Sequence, residues 1–200
     1  MNVLLINYGT SNINSIYNSL KKIKKIKIFI NNFDKKNYDK IIFPGQGHIN
    51  NCISFLSKIN YLDNYLKNSY ILGICIGYHI FFKKSEEDFN IKCLNLIKEN
   101  IEIISNKCCK NIVIPNIGWN NVIIIKKHKI LNNIPLSFLQ YFMHSYSSIY
   151  KNQEFSYATS IYNNIKYNSI VIKENKFLFQ FHPEKSGTIG LNLLRNFLNL

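Results

Sequence analysis

The sequence predicts an α/β fold: an open mixed sheet flanked by helices, with an additional β-rich second half. Three observations point there. Over residues 1–82 short apolar runs alternate with helical periodicities, the rhythm of β-α-β units. Past about residue 90 that periodicity gives way to short strand-like pieces between Asn-rich turns. And 200 residues at 46% hydrophobic content make a single domain, residues 1–200, able to bury a core without disulfides or a metal.

The elements follow in order. Val3 to Ile6 is a continuous apolar run of the kind a parallel strand buried on both faces shows. Tyr8-Gly9-Thr10-Ser11-Asn12 is a turn that ends in helix-capping residue types. Ile13, Ile16, Tyr17 and Leu20 then form one helical stripe at i, i+3, i+4, i+7. Lys27–Ile30 and Lys40–Phe43 read as strands, the latter stopped by Pro44-Gly45-Gln46-Gly47. A helical stretch from Ile49 to Lys67 leads to a strand at Tyr70–Ile74 and a helix at Ile76–Phe82. In the second half, strands are expected at 101–104, 111–114, 122–125, 155–161, 169–172 and 176–181. Leu191, Leu194 and Leu198, with Phe197 beside them, mark a C-terminal helix.

Composition excludes several classes of function. The net charge of +14 suggests nucleic acid, but the basic residues are 24 Lys and one Arg, spread along the chain. Ile (35), Asn (31), Lys, Tyr and Phe share A/T-rich codons and there is one Ala, so codon bias explains the charge without a ligand. No nucleic-acid partner is expected. No apolar run approaches the length of a membrane span and the start carries no basic leader, so a cytoplasmic protein with no membrane partner is expected. Five cysteines without a C-x-x-C pair fit neither a disulfide framework nor a zinc site; no metal and no cofactor are expected.

The chemistry begins at Gly73-Ile74-Cys75-Ile76-Gly77, which puts Cys75 on a sharp strand-to-helix turn between small neighbours. A helix N-terminus there favours thiolate. The same pattern also suits a buried cysteine acting as a small hydrophobe. The distant string Phe181-His182-Pro183-Glu184 supplies what a nucleophilic thiol needs: an imidazole base, with a carboxylate two residues on to hold its other nitrogen. The Gly45-Gln46-Gly47 turn follows a buried strand and offers backbone amides to a developing oxyanion.

Cys75 in G-I-C-I-G, His182 and Glu184 in F-H-P-E and the P-G-Q-G loop together resemble the class I, triad-type glutamine amidotransferases. N-Y-G-T-S-N at 7–12, P-N-I-G-W-N at 115–120, Y-F-M-H-S-Y at 141–146 and Q-F-H-P-E-K-S-G at 180–187 are similar to the glutaminase subunits of imidazole glycerol phosphate synthase. The resemblance covers essentially the whole chain. It implies hydrolysis of glutamine to glutamate and ammonia through a glutamyl thioester on Cys75, with His182 shuttling protons, Glu184 orienting it, and Gly45, Gln46 and Gly47 carrying the oxyanion hole. It implies a (β/α)8-barrel cyclase partner that receives the ammonia in histidine biosynthesis, with Asn12, Trp119 and Lys185 toward that partner. It places His79, His144, Ser145 and Tyr146 near bound glutamine.

The chain departs from the family's pattern at three places. His79 stands where the family usually has Gln, Ser11 replaces a common Gly, and Asn116 replaces a common His. The last two bear on the partner side or on signalling between sites. Trp119, the single Trp, suits either the core or an interface. Cys52, Cys93, Cys108 and Cys109 read as buried or incidental thiols, and His48 and His128 as solvated. The alternatives are the glutaminase subunit of another amidotransferase and a non-catalytic assembly subunit of the same fold. The P-N-I-G-W-N and Y-F-M-H-S-Y segments disfavour the first, and retention of all three triad residues disfavours the second.

Overall fold

A computed structural model describes residues 1–9, 13–23, 26–33, 37–45, 47–105, 113–151 and 153–200. Strands β1 (Asn2–Leu5), β2 (Lys27–Ile30), β3 (Lys40–Phe43) and β4 (Tyr70–Ile74) are the four expected early strands, and all pair in parallel. Helix α1 (Ile13–Lys21) lies between β1 and β2, and α2 (Ile49–Leu56) and α3 (Leu62–Asn68) between β3 and β4. The expected single helix over 49–67 is thus two, broken where Tyr61 takes a left-handed conformation at φ 62°. After Cys75, α4 is one turn (Ile76–His79), shorter than expected.

The remaining strands are β5 (Lys84–Ser85), β6 (Asp88–Lys92), β7 (Asn100–Ile103), β8 (Asn116–Ile124), β9 (Ser137–His144), β10 (Tyr146–Ser147), β11 (Ser156–Tyr162), β12 (Ile165–Lys173) and β13 (Lys176–Phe179), followed by α5 (Gly187–Leu198). Val113 and Ile114 belong to no strand, since Pro115 follows and offers no N–H to a ladder; residues 111 and 112 lie outside the described set. Strands β5, β6, β9 and β10 were not expected.

Among the described residues a nine-stranded sheet runs β2-β1-β3-β4-β13-β12-β11-β8-β9. It is parallel as far as β13, and antiparallel beyond. Period-2 alternation divides its core into two layers. Val3, Leu5, Ile42, Leu72 and Ile74 pack with Ile16 and Leu20 of α1 and Leu193, Leu194 and Phe197 of α5. Leu4, Ile41, Phe43 and Ile71 pack on the other face with Ile49 and Leu56 of α2 and Tyr65 and Leu66 of α3. A smaller sheet, β10-β7-β5-β6, lies beside it. Among the described residues no helix is long and apolar enough to cross a membrane.

Candidate active site

The carboxyl ends of β4 and β13 lie side by side, with Ile74 paired to Phe179. A parallel sheet gathers its loops at that end, where ligands commonly bind. Cys75 leaves β4 at φ 49° and ψ −106°, a conformation strained for any residue but Gly. Its neighbours explain how the strain is held. A Cβ on Gly73 would lie 2.3 Å from the Gly77 carbonyl oxygen, and one on Gly77 would lie 2.1 Å from that of Phe43. Both glycines are required by close backbone approach. The Cys75 N–H is fixed to the Phe179 carbonyl at 2.8 Å.

Three residues past the end of β13, His182 leads into a single 3-10 turn, Pro183–Lys185, with Pro at its first position. The turn swings Glu184 back, so that His182 Nδ1 donates to Glu184 Oε1 at 2.8 Å, with both side chains buried. His182 Nε2 makes no hydrogen bond of normal geometry, and Cys75 is its electrostatic neighbour. Burial opposes the imidazolium, but the Cys75 sulfur and then the Glu184 carboxylate outweigh it and push the His182 pKa up to about 10. The Cys75 thiol also donates to the Met143 carbonyl at 3.5 Å. Gly45 lies against both partners: a Cβ there would sit 2.7 Å from His182 Cε1 and 3.0 Å from Cys75 Cβ.

Cys75 opens into a pocket of about 410 Å³ whose lining includes Gly45, Gly47, His79, His144, Ser145 and Tyr146. The structure therefore brings the four residues expected near glutamine to one wall. Gly47 adopts φ 130°, and Gln46 lies outside the described residues. His144 Nδ1 donates to the Tyr146 carbonyl at 2.9 Å, which leaves Nε2 to accept from Asn116 Nδ2 at 3.2 Å. Asn116 is thus buried behind His144, not on an exposed partner side. His79 Nε2 donates to Gln180 Oε1 at 3.0 Å. Burial pushes the pKa of His79 down to about 4 and that of His144 to about 3, so both are neutral while His182 is charged.

Sequence reasoning missed Glu87, which lines the same pocket. Its carboxylate accepts from the Ile49 N–H at 3.3 Å and lies 3.7 Å from His48 Nε2, and burial raises its pKa. Nothing marks it in the run Ser85-Glu86-Glu87-Asp88, because the turn that aims it inward belongs to the unforeseen β5–β6 hairpin. His48 is half-exposed, yet it also caps α2 by accepting the Asn50 N–H. His128 caps a 3-10 turn in the same way. Cys52 and Cys93 are free and buried, with pKa values pushed up by burial to about 12 and about 11, so neither competes as a thiolate. Cys108 and Cys109 lie outside the described residues. Among the described residues no group of His, Cys, Asp or Glu could hold a metal.

Trp119 is 56% exposed and so is not core; its ring meets Tyr141 edge-on, and Lys185 Nζ lies 5.8 Å from the Tyr141 ring. Ile117 and Leu139 extend this exposed apolar face along β8 and β9. Asn12 and Ser11 lie outside the described residues.

A strained thiol beside a buried imidazole–carboxylate pair is the arrangement that cysteine hydrolases and acyl-transfer enzymes of triad type use. The profile of the family Glutamine amidotransferase class-I matches residues 4–200, and the chain belongs to that family. The imidazole glycerol phosphate synthase subunit HisH of Pelagibacter ubique is 37% identical over 210 residues, covering 100% of both chains. That of Blochmanniella floridana is 34% identical over 204 residues, again covering 100% of each. Within the class the chain therefore belongs with the HisH subunits. In Emericella nidulans the protein named imidazole glycerol phosphate synthase hisHF is 32% identical over 98% of this chain and 38% of its own length. The solved structure of PurLQS from Thermotoga maritima has a TM-score of 0.72 at 17% identity, covering 99% of this chain and 97% of that one, a likeness of fold.

Proposed function

We propose that the chain is the glutaminase subunit of imidazole glycerol phosphate synthase, working through Cys75, His182 and Glu184. The observation that carries the mechanism is the buried Glu184–His182 hydrogen bond of 2.8 Å, with Cys75 beside the free face of the imidazole. In the resting pair the proton of Cys75 rests on His182, held there by the sulfur and Glu184, and the thiolate attacks the side-chain amide carbon of glutamine. The resulting oxyanion is met by backbone N–H groups of the Gly45-Gln46-Gly47 loop and of Ile76, whose place at the start of α4 leaves its N–H without an intrahelical acceptor. The imidazolium returns its proton to the leaving nitrogen, ammonia departs, and a glutamyl thioester remains on Cys75. Water, deprotonated by His182, then releases glutamate and restores the thiolate beside the charged imidazole.

His79, His144, Ser145 and Tyr146 hold the glutamine along one wall. Glu87, half-buried at the pocket's edge beside His48, meets its α-ammonium. Residues 1–200 act as one amidotransferase domain, a reading supported by the single sheet that takes strands from both halves of the chain. The exposed Trp119–Tyr141–Lys185 face docks a (β/α)8-barrel cyclase subunit, and Asn12 adds to that contact. Ammonia passes to the cyclase, which forms imidazole glycerol phosphate and aminoimidazole carboxamide ribotide in the cytoplasm. The fused hisHF relative supports a partnership of two such units.

The test is glutamate release from glutamine by the chain alone, with the cyclase subunit, and with the cyclase and its nucleotide substrate. Low activity that rises strongly with the liganded partner and vanishes in Cys75→Ala is expected. Hydrolysis by Cys75→Ala would overturn the mechanism, and a partner that neither binds nor activates would overturn the coupling.

A further inference from the structure

Ser186 stands just before α5, where a serine ordinarily caps the helix by accepting an N–H from its first turn. It makes no such bond. Its hydroxyl instead donates to the His182 carbonyl at 2.6 Å and accepts the Tyr141 N–H at 2.9 Å. The His182 N–H in turn donates to the Tyr141 carbonyl at 2.9 Å. The three bonds close a ring that ties the main chain of His182 to β9. That strand also presents the Met143 carbonyl to the Cys75 thiol. The turn is pinned from outside as well, since a Cβ on Gly190 would lie 2.1 Å from the Pro183 carbonyl oxygen and 2.9 Å from Ser186 Cβ.

We propose that Ser186 is a positioning residue of the triad: its buried hydroxyl fixes His182 to β9 and so sets the imidazole's approach to Cys75. The inference rests on the reading of Cys75 and His182 as nucleophile and base. An imidazole reaches its place through only two side-chain torsions, so the position of its main chain largely decides where Nε2 lies. Glu184 controls the ring's rotation through Nδ1, whereas Ser186 controls the point from which the ring is hung.

The experiment compares Ser186→Ala and Ser186→Thr with the unaltered full chain, bound to the cyclase, for glutamine kcat and KM. Melting temperature and the rate of Cys75 alkylation by iodoacetamide at pH 7 are read alongside. For Ser186→Ala, kcat should fall about tenfold to a hundredfold with KM within about twofold, and Cys75 alkylation should slow by about fivefold or more. Ser186→Thr, which keeps the hydroxyl, should recover most of both. Wild-type kcat and alkylation in Ser186→Ala would overturn the proposal. Equal losses of kcat and melting temperature in both variants would also overturn it, assigning the serine to helix packing alone. Should the threonine methyl crowd α5 and lower its melting temperature, the Ser186→Ala alkylation rate decides alone: slowed supports positioning, unchanged refutes it. If unaltered Cys75 is alkylated no faster than in His182→Ala, the triad reading itself has failed and this inference falls with it.

Discussion

The parallel and antiparallel halves of the nine-stranded sheet treat their faces differently. In the parallel half, β1, β3 and β4 are covered on both sides, by α1 and α5 on one and by α2 and α3 on the other. In the antiparallel half, β8 and β9 bury one face and turn Ile117, Trp119 and Leu139 outward. The proposed triad belongs to the seam between them, with Cys75 following β4 and His182 following β13. Yet β9, five strands from β4 in the sheet order, bonds both through its Met143 and Tyr141 carbonyls. The antiparallel half must therefore coil back over the site. The covered half carries Cys75 and His182, while the half-open one bonds to both and leaves an apolar face exposed.

The comparison breaks first where the covered half has no slack. Gly77→Ala places a methyl group 2.1 Å from the Phe43 carbonyl oxygen, so β3 and the nucleophile's turn must separate. Overpacking of this kind should cost about 3 kcal/mol, which lowers the melting temperature of a chain this size by about 6–12 °C. Glutamine hydrolysis should be lost with it. A melting curve and a glutamate assay check both, and a variant as stable and active as the parent would mean that the elbow is not held by this contact.

In the half-open region the expected pattern inverts. Trp119→Ala removes a ring that is 56% exposed, so stability should change by no more than about 0.5 kcal/mol. Glutaminase activity of the isolated chain should stay within twofold. Affinity for the cyclase should fall by about thirtyfold, near 2 kcal/mol, as for a central aromatic anchor. Titration of the labelled chain with cyclase distinguishes this from a Trp that only decorates the surface, for which affinity would not move.

The same difference governs what could be read in the sequence. Strands of the covered half announce themselves as unbroken apolar runs, because both faces need hydrophobes, and β3 and β4 fall at the expected residues. Cys75, His182 and Glu184 were legible because each lies in a short local motif. Strand β9 was not. It places Phe138, Gln140, Phe142 and His144 inward, and Leu139, Tyr141 and Met143 outward. With apolar and polar residues on both faces, no alternation of hydropathy survives. Glu87 and Ser186 were invisible for a related reason, since their roles depend on which distant backbone a turn brings near.

The finest distinction lies between the three buried histidines around Cys75, and pH separates them. His182, pushed up to about 10, keeps its proton; its contribution is full below its ordinary pKa of 6.5 and is lost as pH rises toward 10. His79 and His144 have the opposite sign. Their folded pKa values, about 4 and about 3, lie below the ordinary 6.5, so the unfolded chain takes up protons that the folded chain refuses. Stability from these two is full above pH 6.5 and falls as the pH drops toward 4. His79 faces Gln180, the Tyr146 carbonyl and His144, and none is a carboxylate that could stabilise a charge. His79→Gln should therefore flatten the acid limb between pH 6.5 and 4 by up to about 1 kcal/mol per pH unit. Urea midpoints measured across that range, parent against variant, give the difference directly, because the carboxylates titrate in both. An unchanged slope would mean that His79 gains a proton in the folded chain as easily as in water, and the pocket wall would then be wetter and more adaptable than its packing indicates.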